Sequence, residues 1–380
     1  MGLAPVTIRG WGSVCALGVD TATSLAALRA GHRGLAPPAR SPHLVSMGGR
    51  MVWVGEVPFD PVLEDRARAM VRVAVDEALA MVGPASGTTG VFVGTTGGFF
   101  VDAEVDLHRA RAKDPEAMPR FGRRGPGEVA EAVARQTGAS GPTLTFSMAC
   151  TSSAAALVAA ATHLRAGTCD RAWVVGFDAL SSLTLYGFRS LLLCDPNPCR
   201  PFDRRRAGLQ LGEGCGALVL ERGSGGFEVL GADNGIDTAN LTASATDGST
   251  VERVIRRALA ASDVAPENIA TIKAHGTGTI DNDLAEGRGI ARVFGPRPPA
   301  FASLKGSLGH TLGAAGALET VLWLAALRAG FVPGSIGFEE GDPDIGVSPT
   351  RESSEARVGA HLLHAFGFGG SCVAAVIRDG

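Results

Sequence analysis

Apolar residues run along this chain in two rhythms. Short runs rich in β-branched and aromatic residues predict strands at Val6–Gly12, Thr89–Thr95, Leu144–Phe146, Arg171–Gly176, Ala217–Glu221, Phe227–Ala232, Ile269–Ala274, Ala300–Ser303, Val358–Ala365 and Cys372–Ile377. Longer stretches predict helices at Thr21–Arg29, Pro61–Met81, Gly127–Gln136, Ala154–Leu164, Val251–Ser262, Leu284–Val293 and Leu312–Arg328. In the helix that starts at Pro61, the spacing puts Arg66, Arg68, Arg72 and Asp76 on a wet face. Residues 103–125 are charged and broken by proline, which predicts an irregular lid or subunit-contact loop. Loops are also expected from Pro37 to Pro42 and around Pro196, Pro198 and Pro201.

Strands and helices alternate throughout, which is the pattern of an α/β fold. A weak repeat divides the chain. Cys150-Thr-Ser-Ser-Ala-Ala-Ala-Leu157 leads to His163-Leu-Arg-Ala-Gly167, and Gly313-Ala-Ala-Gly-Ala-Leu318 leads to Ala326-Leu-Arg-Ala-Gly330. Each copy is a small-residue helix start, an apolar helix and the same ending, which suggests duplicated layers with both helices buried centrally. The Gly-rich turn at 223–226 places a boundary between residues 1–225 and 226–380.

Composition narrows the class. Of 380 residues, 45% are hydrophobic and 19% charged, as in a globular chain with a large core. A net charge of −3 offers no electrostatic case for nucleic acid or an anionic membrane. Seven scattered cysteines fit a reducing, cytoplasmic setting better than a disulfide framework, and none has zinc-site company. Met1–Gly12 lacks the features of a signal peptide. The two longest apolar stretches are too short for a membrane span or are broken by His163 and Glu319.

Four short stretches carry candidate chemistry. Cys150 lies where a strand ends and a helix begins, and unpaired N–H groups there would stabilise a thiolate and lower its pKa. It reads either as such a nucleophile or as an inert buried thiol. His275, in His275-Gly-Thr-Gly-Thr279, stands at a strand end before a glycine turn, a place where α/β folds present functional side chains. Lys305 and His310 share a second Gly-rich loop without any nucleotide-binding pattern. Phe366-Gly-Phe-Gly-Gly370 is a Gly-dense turn suited to aiming a backbone N–H at a ligand, or is a plain hairpin. One Cys with two His suits carbon–carbon condensation better than proteolysis. Two imidazole N–H groups can hold an enolate oxyanion while CO2 leaves.

Together these residues resemble the elongating β-ketoacyl-acyl carrier protein synthases of the thiolase superfamily. The likeness runs nearly end to end through Ala-Cys-Thr-Ser-Ser at 149–153, Arg200-Pro-Phe-Asp203, Leu211-Gly-Glu-Gly214, His275-Gly-Thr-Gly-Thr279, Lys305, Gly-His-Thr-Leu-Gly-Ala-Ala-Gly at 309–316 and Gly-Phe-Gly-Gly at 367–370. It implies a thiolase-like fold of duplicated α/β halves in five αβαβα layers. It implies Cys150 as the acylated nucleophile, and His275 and His310 as the pair that promotes decarboxylation. Lys305 would order the site, with Glu286 as its buried acidic partner. The N–H groups of Cys150 and Phe368 would form an oxyanion hole beside Gly369, and the Phe368 ring would gate an acyl tunnel. Thr277 and Thr279 would touch a phosphopantetheine arm. The partners implied are an acyl carrier protein and a second ketosynthase-like subunit, identical or related, with no tightly bound cofactor or metal. His364-Ala365, Ser371-Cys372 and Ala207 depart from the usual residues, which fits a polyketide or aryl-polyene pathway better than housekeeping fatty-acid synthesis. A non-catalytic chain-length subunit and a thiolase using Cys372 as a second thiol are the alternatives.

Overall fold

A computed structural model describes residues 4–41, 44, 53–59, 65–85, 87–114, 116, 118, 125–238 and 245–380. Ten strands build the main sheet: β1 (Val6–Cys15), β2 (Thr89–Gly94), β3 (Thr143–Phe146), β4 (Arg171–Asp178), β5 (Gly214–Arg222), β6 (Phe227–Ile236), β7 (Ile269–Lys273), β8 (Ala300–Ala302), β9 (Ala360–Phe366) and β10 (Ser371–Asp379). The helices of at least nine residues are α1 (Thr21–Arg29), α2 (Arg66–Val82), α3 (Phe100–Arg111), α4 (Gly127–Thr137), α5 (Ser152–Arg165), α6 (Ser182–Ser190), α7 (Ser249–Ala261), α8 (Ile280–Phe294) and α9 (Ala315–Arg328).

The strand order is β8-β7-β9-β10-β6-β1-β5-β4-β2-β3. Read outward from the centre, β1-β5-β4-β2-β3 and β6-β10-β9-β7-β8 are the same order displaced by five strands, and the pairing directions repeat as well. In each set the outer three strands are parallel and the inner two pairings antiparallel. Among the described residues, the strand pairing between the two sets is Thr7↔Glu228 and Ile8↔Phe227. α5 and α9 touch each other and lie between the sets, α2 and α4 cover the first outside, and α7 and α8 cover the second. This is the five-layer thiolase-like arrangement: one apolar cluster surrounds the central helices on both sides, and one lies under each outer helix layer.

Close packing of the middle layer depends on glycine. A Cβ on Gly316 would lie 2.4 Å from the Ala154 backbone nitrogen, and one on Gly94 would lie 2.1 Å from that of Ser153. Every residue of α9 from Ala315 to Leu327 is buried, including Glu319. A helix apolar on all sides belongs in a core, and a carboxylate there needs cationic partners.

Several sequence expectations need correction. The described part of 103–125 opens as helix α3 rather than as irregular chain. Val101 and Ala103 are its buried residues, with Val105 packed on the same cluster as Val101, too few apolar positions to stand out among the charges; Pro115 and Pro119 lie outside the described residues. α6 interrupts the expected long loop, capped by Ser181 Oγ accepting from the Thr184 N–H at 3.1 Å. Of its side chains only Leu185 is buried, so it carries little periodicity. Positions 61–64 of the second expected helix, and Pro42, fall outside the described residues. Arg66 does not face water, since it pairs with buried Glu213; Arg68 stays partly exposed while lying 4.2 Å over the Phe99 ring, and Arg72 and Asp76 are exposed as expected.

Candidate active site

The turn between β3 and α5 carries Cys150, preceded by Ala149 with φ 50°, a left-handed conformation costly for a side chain with a Cβ. The Ser152 hydroxyl ties the turn, donating to the Ala149 carbonyl at 2.6 Å and accepting from the Met148 N–H at 2.9 Å. Cys150 is 5% exposed and looks across at the loop before α9. There its Sγ meets His310 Nε2 at 3.0 Å. The Leu312 N–H donates to His310 Nδ1 at 3.2 Å, so the ring carries its proton on Nε2.

His275 follows β7 and stands edge-to-face with His310, ring centroids 5.2 Å apart. Lys305 Nζ donates to its Nδ1 at 3.2 Å and to its carbonyl at 2.7 Å, which places this ring's proton on Nε2 too. Burial first, then the Lys305 charge, holds both imidazoles well below their usual pKa. They are therefore neutral N–H donors at physiological pH.

The expected partner of Lys305 requires correction. Lys305 Nζ pairs with Glu319 Oε1 at 2.6 Å. Glu286 instead accepts from the N–H groups of His275 and Gly276, both at 2.7 Å, and meets His364 Nδ1 at 3.3 Å. Glu286 shapes the His275 turn; Glu319 anchors the lysine. A lone acid within an apolar helix was the available signal for Glu319, and it served only as an argument against a membrane span. Lys273 takes Glu319 Oε2 at 2.8 Å, a role that nothing in its local sequence signals.

Cys150 needs a second correction. Burial pushes its thiol up to about 12 despite the nearby Lys305 charge, whereas its place before a helix implied a lowered value. Desolvation outweighs the helix start because the cysteine is almost entirely withdrawn from water, at the inner end of the cavities. Cys372 lies in β10, paired with Phe366, and burial raises it well above its usual range too.

Cys150 sits where two cavities meet. One, of about 240 Å3, is lined by His275, His310, Thr277, Thr279, Gly367 and Phe368 and opens beside Asp281 and Asn282. The other, of about 270 Å3, runs past Gly97, Phe100, Val101, Ala179 and Leu183. Phe368 and Phe188 border both and stack with centroids 5.3 Å apart. Thr277 and Thr279 hydroxyls lie 2.8 Å apart at the first cavity. Gly367 packs on the Cys150 backbone, and the exposed Gly369 takes φ 79°, so the 367–370 turn curls over the cysteine. Asp178, whose carboxyl burial pushes up, accepts from the Thr95 hydroxyl and from the Thr96, Gly97 and Gly313 N–H groups. It knits the two sides of the site together. Among the described residues no cluster of His, Cys, Asp and Glu could hold a metal ion, and no helix is long and apolar enough to cross a membrane.

Comparison with known proteins supplies the context for this geometry. Residues 63–225 match the β-ketoacyl synthase N-terminal domain, and residues 227–339 the β-ketoacyl synthase C-terminal domain. Nodulation protein E of Rhizobium sp. (strain N33) is 30% identical, with 96% of each chain covered. The 3-oxoacyl-[acyl-carrier-protein] synthase 2 of Mycobacterium bovis is 33% identical over 66% of this chain and 64% of its own. A solved structure, the ishigamide ketosynthase/chain length factor, superposes with TM-score 0.90 at 30% identity, covering 100% of both chains.

Proposed function

The chain belongs to the β-ketoacyl synthase family, and from that premise we propose that it is an acyltransferase joining an acyl group on Cys150 to a malonyl unit with loss of CO2. The carrier of both units is an acyl carrier protein, whose phosphopantetheine arm enters past Thr277 and Thr279. The supporting observation is the convergence of Cys150, His310 and His275 on one cavity, with Sγ 3.0 Å from a protonated Nε2.

In the first step Cys150 sulphur attacks the acyl thioester carbonyl. A C–S bond forms, the oxyanion lies at the Cys150 and Phe368 N–H groups, and the carrier thiol leaves with the proton that Cys150 gives up. In the second step the malonyl thioester loses CO2. The bonding pair passes to C2 as an enolate whose oxygen accepts from the His275 and His310 Nε2–H groups. C2 then attacks the Cys150 thioester, a C–C bond forms, and the cysteine sulphur leaves. Neutral imidazoles suit this role, since each offers a proton for hydrogen bonding without giving it up. The acyl chain lies in the 270 Å3 cavity behind the Phe188–Phe368 stack.

The boundary between the halves falls at 225/226, and the chain works in the cytoplasm beside a second ketosynthase-like subunit. The outermost strand β3 supports that partnership: it has one neighbour, and Thr143 and Leu144 are exposed. The likeness to a ketosynthase/chain length factor favours a heterodimer, in which the complete Cys, His, His and Lys set makes this the catalytic subunit. Cys372 lines neither of the two cavities that meet at Cys150, which disfavours the thiolase alternative. Mass spectrometry of Cys150 after incubation with acyl carrier protein thioesters tests the reading. The wild type gains an acyl adduct, and Cys150→Ala, correctly folded by circular dichroism, gains none. An equal adduct in the variant would overturn it.

A further inference from the structure

Beneath the reacting cavity, six buried residues close a ring of hydrogen bonds that begins and ends on His275. The His275 N–H donates to Glu286, Glu286 meets the His364 ring, and the His364 carbonyl accepts from Lys273 Nζ at 2.6 Å. Lys273 then shares Glu319 with Lys305, which returns to His275 through its carbonyl and Nδ1. No member is more than 2% exposed. Two lysines and two glutamates balance formally within the ring, both lysines gripping Glu319 while Glu286 takes backbone N–H groups and the His364 ring.

Lys305 uses all three of its N–H groups: on Glu319 Oε1, on the His275 carbonyl and on His275 Nδ1. Its aim at the imidazole therefore depends on where Glu319 stands. A carboxylate held by one oxygen can rotate, whereas one held at both oxygens cannot. Resting on the ketosynthase reading for its assay alone, we propose that Lys273 is a positioning residue for His275. By gripping Oε2 of Glu319 it fixes Oε1 against Lys305, and so keeps the His275 proton on Nε2, facing the cavity.

The charge of Lys273 adds to the effect. Burial, Lys305, His310 and Lys273 all lower the basicity of His275. The other groups facing this cluster are Glu286 from α8, Glu319 from α9, His364 from β9 and Cys150 from the turn before α5. Removing Lys273 deletes a cation and leaves Glu319 less compensated, and both changes raise the His275 pKa.

The test compares wild type with Lys273→Met and with Lys273→Gln, which retains a donor for the His364 carbonyl should the methionine variant not fold. Three quantities are read: acyl loading of Cys150, decarboxylation of malonyl carrier protein, and the His275 titration midpoint by NMR of 15N-histidine-labelled protein. Either variant should lower decarboxylation roughly tenfold or more and loading by less than about threefold, and should move the His275 midpoint up by about one pH unit. A merely structural role would depress both half-reactions together and leave the midpoint in place; that result overturns the proposal. If the wild type fails to decarboxylate malonyl carrier protein, the proposed function falls, while the substrate-free His275 midpoint still decides the role of Lys273.

Discussion

Ala149 and Leu312 occupy the same place in the two halves, each three residues before a central helix, and both adopt left-handed angles, φ 50° and 52°. The helices that follow, α5 and α9, are both 14 residues long. Each is followed by a left-handed glycine, Gly167 at φ 73° and Gly330 at φ 81°. The residue after the strained position differs, however. In the first half it is Cys150, open to two cavities; in the second it is Gly313, where a Cβ would lie 2.8 Å from Asp178 Oδ2 and 3.0 Å from the Thr95 backbone. The same scaffold thus presents a nucleophile at one helix start and is sealed at the other. The second half supplies instead the imidazole two residues upstream of Leu312, aimed across at the first half's sulphur. One duplicated turn has become two complementary parts of a single site.

That comparison can be broken chemically. His310→Ala and His275→Ala should each lower malonyl decarboxylation and condensation by about 10²–10⁴-fold, because each removes an N–H aimed at the enolate oxygen. Acyl loading should fall far less, and more for His310, which alone touches Cys150. Separate radiolabel assays of the two half-reactions check this, and an equal loss in both would overturn the division of labour. Next in size is the sealed turn. Gly313→Ala should destabilise the fold by about 1–3 kcal/mol through overpacking against the Asp178 knot, measured by denaturant unfolding.

A pH comparison sharpens the contrast without mutation. Because burial lifts the Cys150 thiol to about 12, its thiolate fraction rises about tenfold per pH unit between pH 7 and 9. Iodoacetamide labelling of Cys150 should therefore climb steadily with no plateau below pH 10. The imidazoles are held well below 6.5 and stay neutral from pH 8 down to 6, so malonyl decarboxylation should change less than about twofold over that span. A decarboxylation rate that dropped with a midpoint near 6.5 would mean the two rings do not share the buried cationic setting.

Much of the fold was readable from pattern alone. Alternating strand and helix rhythms placed all ten strands of the sheet, and the repeated Leu-Arg-Ala-Gly endings marked the two central helices. What escaped notice was whatever carries little apolar periodicity. α6 buries only Leu185, and α3 only Val101 and Ala103. At the site, Cys150, His275, Lys305 and His310 announced themselves by standing in small-residue and glycine contexts. The anchoring network did not, because an ion pair between residues 305 and 319 or 273 and 319 leaves no local trace in the chain. Resemblance alone paired Lys305 with Glu286, and the packing of α9 pairs it with Glu319 instead.

The sequence by itself determined the class of fold, its duplication and the side chains capable of reacting, since these follow from local spacing and residue chemistry. Only the tertiary structure decided how they work together. Packing the two central helices between the two strand sets brought sulphur and imidazole from opposite halves within 3.0 Å. The same burial made the thiol a weak acid, kept both imidazoles neutral and bound two lysines to one carboxylate. Desolvation and long-range ion pairing depend on what surrounds a group in space, and that is set by the fold as a whole.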